Sequence, residues 1–186
     1  MELLNYEVLK ESGYEGYVLE SAPEKVMQFG EGNFLRAFVD YWFDVANEKA
    51  GWNGKCVLVQ PIPQGLTDMI NAQEGLYTLY LRGRENGEKV DRKRVISSVS
   101  RCVNPYEKEG FDAMMELAVS DDLEYIVSNT TEAGIVYDPE CRIEDEPCSS
   151  FPGKLTQVLY ARYKAGKSGL VILSCELIDN NGKELL

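Results

Sequence analysis

Two glycines separated by one residue, Gly30 and Gly32, follow a short apolar run, and residues 34–49 then show the apolar spacing of an amphipathic helix. This order of strand, glycine turn and helix can cradle a phosphate, because the glycines allow a tight turn and the helix N-terminus offers free N–H groups. Arg36, one turn into the helix, adds a guanidinium that can pair with phosphate oxygens. Leu35 stands where the third glycine of a dinucleotide-binding pattern would be. The stretch therefore predicts either a pyrophosphate site or an ordinary strand-to-helix turn.

A polar segment, residues 128–132, directly follows a second apolar run at residues 125–127. Open α/β sheets bind ligands at the carboxyl ends of their strands, so this segment is a second candidate; a turn without a ligand is the alternative. Glu132 could contact the ligand or could neighbour a helix N-terminus. The candidate cofactor-binding residues are Met27, Gln28, Phe29, Gly30, Glu31, Gly32, Asn33, Phe34, Leu35, Arg36, Ala37, Phe38, Ser128, Asn129, Thr130, Thr131 and Glu132. No catalytic residue and no metal ligand is predicted.

Gln60 ends the apolar run that begins at Cys56. In a dinucleotide-binding unit this strand should end in Asp or Glu, which binds the adenosine ribose. A glutamine can hydrogen-bond a hydroxyl but does not reject a 2′-phosphate. The residues alone therefore leave the choice between NAD and NADP open.

The alternation of apolar runs with helical patterns predicts the elements that would hold these residues. Strands are expected at 26–29, 56–60, 76–81, 94–99, 125–128 and 170–175, and helices at 34–49, 65–73, from 104 and at 150–165. The last strand is expected to be fully buried. Residues 76–81 and 94–99 are expected to form an antiparallel pair, and the connection between them, which contains Asn86-Gly87, is longer than that of a minimal hairpin. The pattern predicts a Rossmann-like α/β fold, a doubly wound, mostly parallel sheet with an antiparallel insertion.

Composition excludes several classes of function. The 186 residues carry a net charge of −12, which argues against nucleic-acid binding, and no apolar stretch approaches a membrane span. With no signal peptide either, a cytoplasmic location is expected. The absence of histidine excludes Ser-His-Asp and Cys-His catalysis within the chain. The five cysteines include no CxxC pair, so Cys141 and Cys148, in an acidic loop, are expected to be reduced thiols without metal.

Five segments in order carry a family resemblance: QFGEGNFLRAFVD (28–40), AQEGLYTL (72–79), SNTTEAGI (128–135), FPGKLT (151–156) and SCELIDNNG (174–182). Together they resemble the tagaturonate reductases, or altronate oxidoreductases, a branch of the mannitol dehydrogenase family. The resemblance covers residues ~24 to 186 and implies NAD(H)-dependent interconversion of D-tagaturonate and D-altronate, a step of galacturonate breakdown. It also implies a Rossmann-like NAD-binding domain at 23–186, after an irregular lead-in at 1–22, with a helical C-terminal catalytic domain absent from this sequence.

The resemblance also assigns roles to residues. Gly30, Gly32, Asn33, Phe34 and Arg36 would line the NAD pyrophosphate, and residues 128–132 would approach the nicotinamide. In the family the proton donor is a lysine of the C-terminal domain, so the chain alone would bind NAD without turnover. Mannitol-type members have an asparagine that helps bind the reacting oxygen where this sequence has Leu177.

Other functions remain open on the sequence. They are a sister reaction on fructuronate and mannonate or another polyol, a non-catalytic nucleotide-binding module, and an α/β domain that binds no nucleotide. Apolar surface meant for the second domain would be exposed, which favours self-association. Light scattering would test this, since a clean monomer at high concentration would contradict it.

Overall fold

The computed structural model describes residues 3–130 and 134–186. The strands are β1 (Glu24–Phe29), β2 (Lys55–Val59), β3 (Tyr77–Glu85), β4 (Glu88–Ile96), β5 (Val99–Val103), β6 (Tyr125–Ser128) and β7 (Val171–Ser174). The helices are α1 (Tyr6–Glu11), α2 (Asn33–Ala50), α3 (Thr67–Ala72), α4 (Lys108–Ala118), α5 (Phe151–Lys164) and α6 (Asn181–Leu185). None of these described helices is both long and apolar enough to cross a bilayer.

Five strands form one parallel sheet in the order β5-β2-β1-β6-β7. Counting only these strands along the chain, the order is 3-2-1-4-5, which is the order of a Rossmann sheet. The winding reverses between β1 and β6, and open α/β sheets bind ligands at the carboxyl ends of the strands that flank such a point. The predicted Rossmann-like fold is confirmed, and both candidate segments begin at this reversal point.

Helices cover both faces of the sheet, and strand alternation explains why. Met27 and Phe29 of β1 point into one core with α4 and α5, whereas Val26 points into the other core with α2 and α3. Because both faces are covered, the central strands are continuously apolar, and all of β2 is buried. This double layer positions the ends of β1 and β6.

The predicted antiparallel insertion is the β3–β4 hairpin, which pairs from Tyr77 with Ile96 to Glu85 with Glu88. The expected long connection was wrong, because Asn86 and Gly87 alone join the strands. Their φ angles are 51° and 86°, as in the two-residue turns that match strand twist.

The single strand predicted at 94–99 was also wrong, because the chain is split there by two serines. Ser97 N–H donates to the Asp44 carboxylate at 2.8 Å, and Ser98 Oγ donates to the Asp40 carbonyl at 2.7 Å. These bonds to α2 end β4 and redirect the chain. Val99 then begins β5, which pairs with β2 as a parallel strand that was not predicted.

Two other expected boundaries differ in the structure. The lead-in, predicted to be irregular, contains α1, whose N-cap is Asn5 and whose Leu9 is buried. Asn104 does not begin a helix; its side-chain oxygen accepts from Tyr106 N–H at 3.2 Å and forms a turn, so α4 begins at Lys108.

Apolar side chains remain exposed on two elements. Residues 171–173 of β7 are exposed, against the prediction of a fully buried strand, because β7 is the edge of the described sheet. On α2, the predicted apolar face divides: Leu35 and Val39 are buried, whereas Phe34, Phe38 and Trp42 are about half exposed. The latter three, spaced four residues apart, form an aromatic stripe on the outer side of the helix.

Candidate functional site

The turn after β1 depends on Gly30 for its backbone path. Gly30 has a φ of 118°, a conformation that other residues rarely adopt, and its N–H donates to the Val59 carbonyl at 3.0 Å. A side-chain carbon at Gly30 would lie 3.2 Å from the Asn129 carbonyl oxygen and 3.4 Å from Leu35 Cδ1. The first glycine is therefore required by the protein itself, because β2, β6 and α2 all meet it.

The second glycine, Gly32, is not required in that way. It has an ordinary φ of −69°, and a side-chain carbon there would meet nothing within 4 Å. Gly32 is the N-cap of α2, and within the described chain no side chain caps this end and no acidic residue lies in its first turn. The first N–H groups of α2 therefore have no side-chain cap, and they lie at the positive end of the helix dipole, which suits an anion.

Arg36 brings a positive charge to this end of α2. Its Nη2 donates to Asn33 Oδ1 at 2.7 Å, and its guanidinium lies 5.3 Å from the centre of the Tyr77 ring. The Tyr77 hydroxyl donates to the Arg36 carbonyl at 2.6 Å, so the hairpin and α2 together hold the arginine. Its pairing with phosphate stays a prediction.

A buried polar pair, Gln28 and Asp40, lies beneath the turn. Gln28 Nε2 donates to the Gly30 carbonyl at 3.1 Å and approaches Asp40 Oδ2 at 3.4 Å. Burial raises the pKa of Asp40 to about 7, against which the bond from Gln28 and the charge of Arg36 act. Asp40 was not among the predicted site residues. Its position among the apolar residues of α2 was the feature of the sequence that could have indicated a buried carboxylate.

Gln60, expected to face the ribose, is turned inward instead. Its Nε2 donates to the Ile62 and Pro63 carbonyls at 2.8 and 3.1 Å, and its Oε1 accepts from the Thr67 hydroxyl at 2.8 Å. It therefore fastens the loop after β2 to α3. The Gln60 amide and the Glu31 carboxylate both lie so close to Gly65 that a side-chain carbon at Gly65 would collide with them. Glu31 therefore places an acidic group beside Gln60, at the carboxyl end of β2.

The segment after β6 lies directly beside the glycine turn. Asn129 N–H donates to the Phe29 carbonyl at 3.2 Å, and the Asn129 side chain donates to the Cys175 carbonyl at 2.7 Å. The buried Glu176 carboxylate accepts from Ser128 Oγ at 3.2 Å and from Thr130 N–H at 3.1 Å. Glu176 was not predicted as a site residue, although it lies in the segment SCELIDNNG (174–182), which contributes to the family resemblance.

The residues predicted to bind the cofactor therefore differ in burial and in location. Met27, Phe29 and Leu35 are buried in the cores and support the turn, whereas the exposed residues Asn33, Phe34, Ala37 and Phe38 lie on α2. Thr131 and Glu132 lie outside the described residues. Direct contact of any of these residues with a cofactor stays a prediction.

Comparison with known proteins decides the family. Residues 24–186 match the family described as "Mannitol dehydrogenase Rossmann domain". This chain belongs to the mannitol dehydrogenase family. The predicted resemblance is thereby confirmed.

Among family members, proteins named altronate oxidoreductase are similar to this chain. The one from Bacteroides thetaiotaomicron is 49% identical over 167 residues, which are 88% of this chain and 34% of the relative. The Bacillus subtilis protein is 46% identical over 181 residues, 95% of this chain and 37% of the relative. The chain thus spans about a third of the length of these relatives.

Two solved structures of other proteins have a similar fold. Pseudomonas fluorescens mannitol 2-dehydrogenase, in a ternary complex with NAD and D-mannitol, superposes with a TM-score of 0.81 at 22% identity, over 98% of this chain and 40% of that protein. A substrate-free D-sorbitol dehydrogenase gives a TM-score of 0.74 at 19% identity, over 98% and 41% of the two chains. At these identities the likeness establishes the fold alone.

Proposed function

We propose that this chain is the cofactor-binding portion of an NAD-dependent oxidoreductase that interconverts D-tagaturonate and D-altronate. The observation that carries the proposal is the uncapped N-terminus of α2, which opens at the point where the winding of the sheet reverses. The name altronate oxidoreductase, borne by relatives that are 42–49% identical, supports the substrate. The NAD in the mannitol 2-dehydrogenase complex supports the cofactor.

Residues 30–36 would hold the cofactor's pyrophosphate. The first N–H groups of α2 would donate to phosphate oxygens, and Gly32 would leave room for them. The net charge of −12 repels an anion over the whole surface, so the local positive charge of Arg36 is needed here. Residues 128–132 would approach the nicotinamide.

We infer that Glu31 favours NAD over NADP. Its carboxylate lies against Gly65 beside Gln60, at the carboxyl end of β2, where Rossmann domains bind the adenosine ribose. A negative charge at this edge would repel the 2′-phosphate of NADP. Glu31 would then replace the acidic residue that is absent at position 60.

In the reaction, bound NAD(H) supplies or accepts the hydride exchanged with the carbonyl or hydroxyl carbon of the sugar acid. The residues of this chain bind and orient the cofactor and cover its pyrophosphate. We place the proton donor, and the contacts that choose the sugar acid, in a C-terminal domain within the length of the relatives that this chain does not span. A cytoplasmic location stays a prediction, as does self-association through the exposed apolar surface.

Calorimetric titration with NADH tests the binding site. Gly32→Val should leave the fold intact, because the added carbon meets nothing, yet it should weaken NADH binding by at least about tenfold. Gly83→Val is the matched control. A side-chain carbon at Gly83 also meets nothing within 4 Å, but Gly83 lies in the hairpin strand β3, so this variant should bind NADH as tightly as the wild type does. Absence of saturable binding in the wild type, or unchanged binding by Gly32→Val, would contradict the proposed site.

The substrate is tested on the protein at its natural length. NADH oxidation should be fastest with D-tagaturonate when D-tagaturonate, D-fructuronate and D-fructose are compared at equal concentrations. Faster oxidation with D-fructuronate would assign the sister reaction and refute the substrate part of the proposal while leaving the cofactor site intact.

A further inference from the structure

The acidic loop between β6 and α5 brings two cysteines together. The sulfurs of Cys141 and Cys148 and a carboxylate oxygen of Asp145 lie within 4.8 Å of one another. Both cysteines pack against Gly153 in the first turn of α5, where a side-chain carbon would meet Cys148 Cβ at 2.7 Å and Cys141 Sγ at 3.2 Å. The sequence spacing of seven residues does not reveal this contact.

We propose that Cys141 and Cys148 are a thiol pair that closes to a reversible disulfide by exchange with low-molecular-weight disulfides, with Cys141 as the attacking group. This site is separate from the glycine turn and is independent of the proposed function. Its basis is the different environment of the two sulfurs.

The surroundings of Cys141 favour its thiolate. The Ser149 and Ser150 hydroxyls lie 3.2 and 3.5 Å from its sulfur, and Ser150 is the N-cap of α5. The pKa of Cys141 is lowered by its contact with Ser149 and then by the Ser150 backbone N–H. Because the Ser149 hydroxyl donates to the Asp138 carboxylate, the donors left for the sulfur are the Ser150 hydroxyl and the backbone N–H groups of Ser149 and Ser150. A helix N-terminus is a setting that lowers thiol pKa values and makes a cysteine reactive. Cys141 also borders a surface cleft together with Tyr137, so it can be reached.

Cys148 is suited to attack the mixed disulfide after that disulfide has formed on Cys141. It is 2% exposed, and its thiol donates to the Arg142 carbonyl at 3.1 Å. Burial, and then the neighbouring Cys141, raise the pKa of Cys148 to about 11, so it remains a thiol. It can therefore react only with a disulfide already formed beside it, on Cys141.

Lys154, a buried lysine of α5, supports the thiolate electrostatically. Its ammonium is held by bonds to the Ser149 carbonyl at 2.8 Å and the Tyr106 hydroxyl at 3.0 Å. Burial lowers the pKa of Lys154 to about 8, and the nearby Cys148 and Cys141 act against this shift. A nearby cation stabilises a thiolate.

The exchange balances in two steps. The Cys141 thiolate attacks one sulfur of a small disulfide, forms a mixed disulfide and releases one thiolate. Cys148 then loses its proton to solvent and attacks the Cys141 sulfur, which forms the internal bond and releases the second thiolate. Two protein thiols are oxidised, and the small disulfide is reduced to two thiols.

A metal ion is the competing occupant, and the geometry opposes it. Asp145 Oδ2 already accepts from the Arg142 N–H at 2.7 Å, and the Lys154 ammonium would repel a dication. The described residues also bring together only three ligands, one fewer than structural zinc sites use.

The experiment exposes the protein to oxidised glutathione at neutral pH and follows the products by intact mass and peptide mapping. In the wild type we expect an internal Cys141–Cys148 disulfide that a dithiol reverses. Cys148→Ser should accumulate the glutathione mixed disulfide on Cys141, and Cys141→Ser should leave Cys148 unmodified. Cys175, half-buried and with a pKa raised by burial, is the internal comparison and should react at least about tenfold more slowly than Cys141.

Three results would overturn the proposal, once circular dichroism shows that the variants are folded. They are equal reaction rates at Cys141 and Cys175, a mixed disulfide that persists in the wild type, and stoichiometric Zn²⁺ binding that Asp145→Asn abolishes. The last result would assign the cluster to a metal.

Discussion

Replacement of Asp40 by asparagine should stabilise the protein above neutral pH and leave its stability unchanged in mild acid. The Asp40 side chain is fully buried between α2 and β1, and the hydrogen bond that it accepts from Gln28 Nε2 is long at 3.4 Å. Within the described chain its second oxygen, Oδ1, has no partner. Burial without an ion pair raises the pKa of Asp40 to about 7.

The size of the effect follows from proton linkage. An unfolded aspartate has a pKa of about 3.9, so the folded chain holds the Asp40 proton about three pKa units more tightly. Each unit corresponds to about 1.4 kcal/mol, which gives about 4 kcal/mol in total. Because the folded state binds more protons, this stability is fully present below about pH 4 and is lost as the pH rises to about 7.

Urea unfolding of the wild type and Asp40→Asn, from pH 4.5 to 8.5, measures the effect. Asparagine keeps the volume of the side chain but cannot ionise, so the difference in free energy of unfolding isolates Asp40. The variant should gain on the wild type by about 1.4 kcal/mol per pH unit up to pH 7, and then remain about 4 kcal/mol more stable. Asp68→Asn, on the exposed side of α3, is the control and should show no such slope.

Two outcomes would refute this reasoning. A difference that does not change with pH would mean that burial does not control the protonation of Asp40. A variant less stable than the wild type at pH 8 would mean that a neighbouring charge, such as that of Arg36, stabilises the carboxylate as an anion.

Two more predictions concern other buried charges. Arg162→Met should lower the free energy of unfolding by about 3–5 kcal/mol in urea, because four backbone carbonyls lose the guanidinium that binds them at 2.6–3.1 Å. Arg82→Ala, an exposed arginine, is its control and should change stability by about 0.5 kcal/mol or less. Glu31→Gln should raise NADPH affinity relative to NADH by about tenfold in calorimetry, because a repelling charge is removed; an unchanged ratio would contradict the role of Glu31.

The parts of the fold that sequence alone predicts are those encoded by neighbouring residues. The strand, glycine turn and helix around Gly30, the helix that Ser150 caps and the turn at Asn86-Gly87 each depend on a few adjacent residues. The structure confirms all three. Local backbone preference and apolar spacing suffice there, because no distant contact opposes them.

Long-range contacts determined what the sequence did not reveal. The split of residues 94–99 depends on the bonds of Ser97 and Ser98 to α2, more than 50 residues earlier. The inward turn of Gln60 likewise depends on the loop and helix that follow β2. Each partner is chosen by the packing of the whole sheet, so no local pattern encodes it.

By itself, the sequence determined the family, the Rossmann-like order of elements and the residues of the glycine turn, because these follow from motifs and periodicity. Only the tertiary structure decided that Glu176 holds the segment after β6, that Asp40 is buried beneath the turn with Oδ1 unpartnered among the described residues, and that Cys141 meets Cys148. The physical reason is that burial and charge depend on neighbours in space. A side chain acquires its chemistry only when the sheet, helices and loops have closed around it.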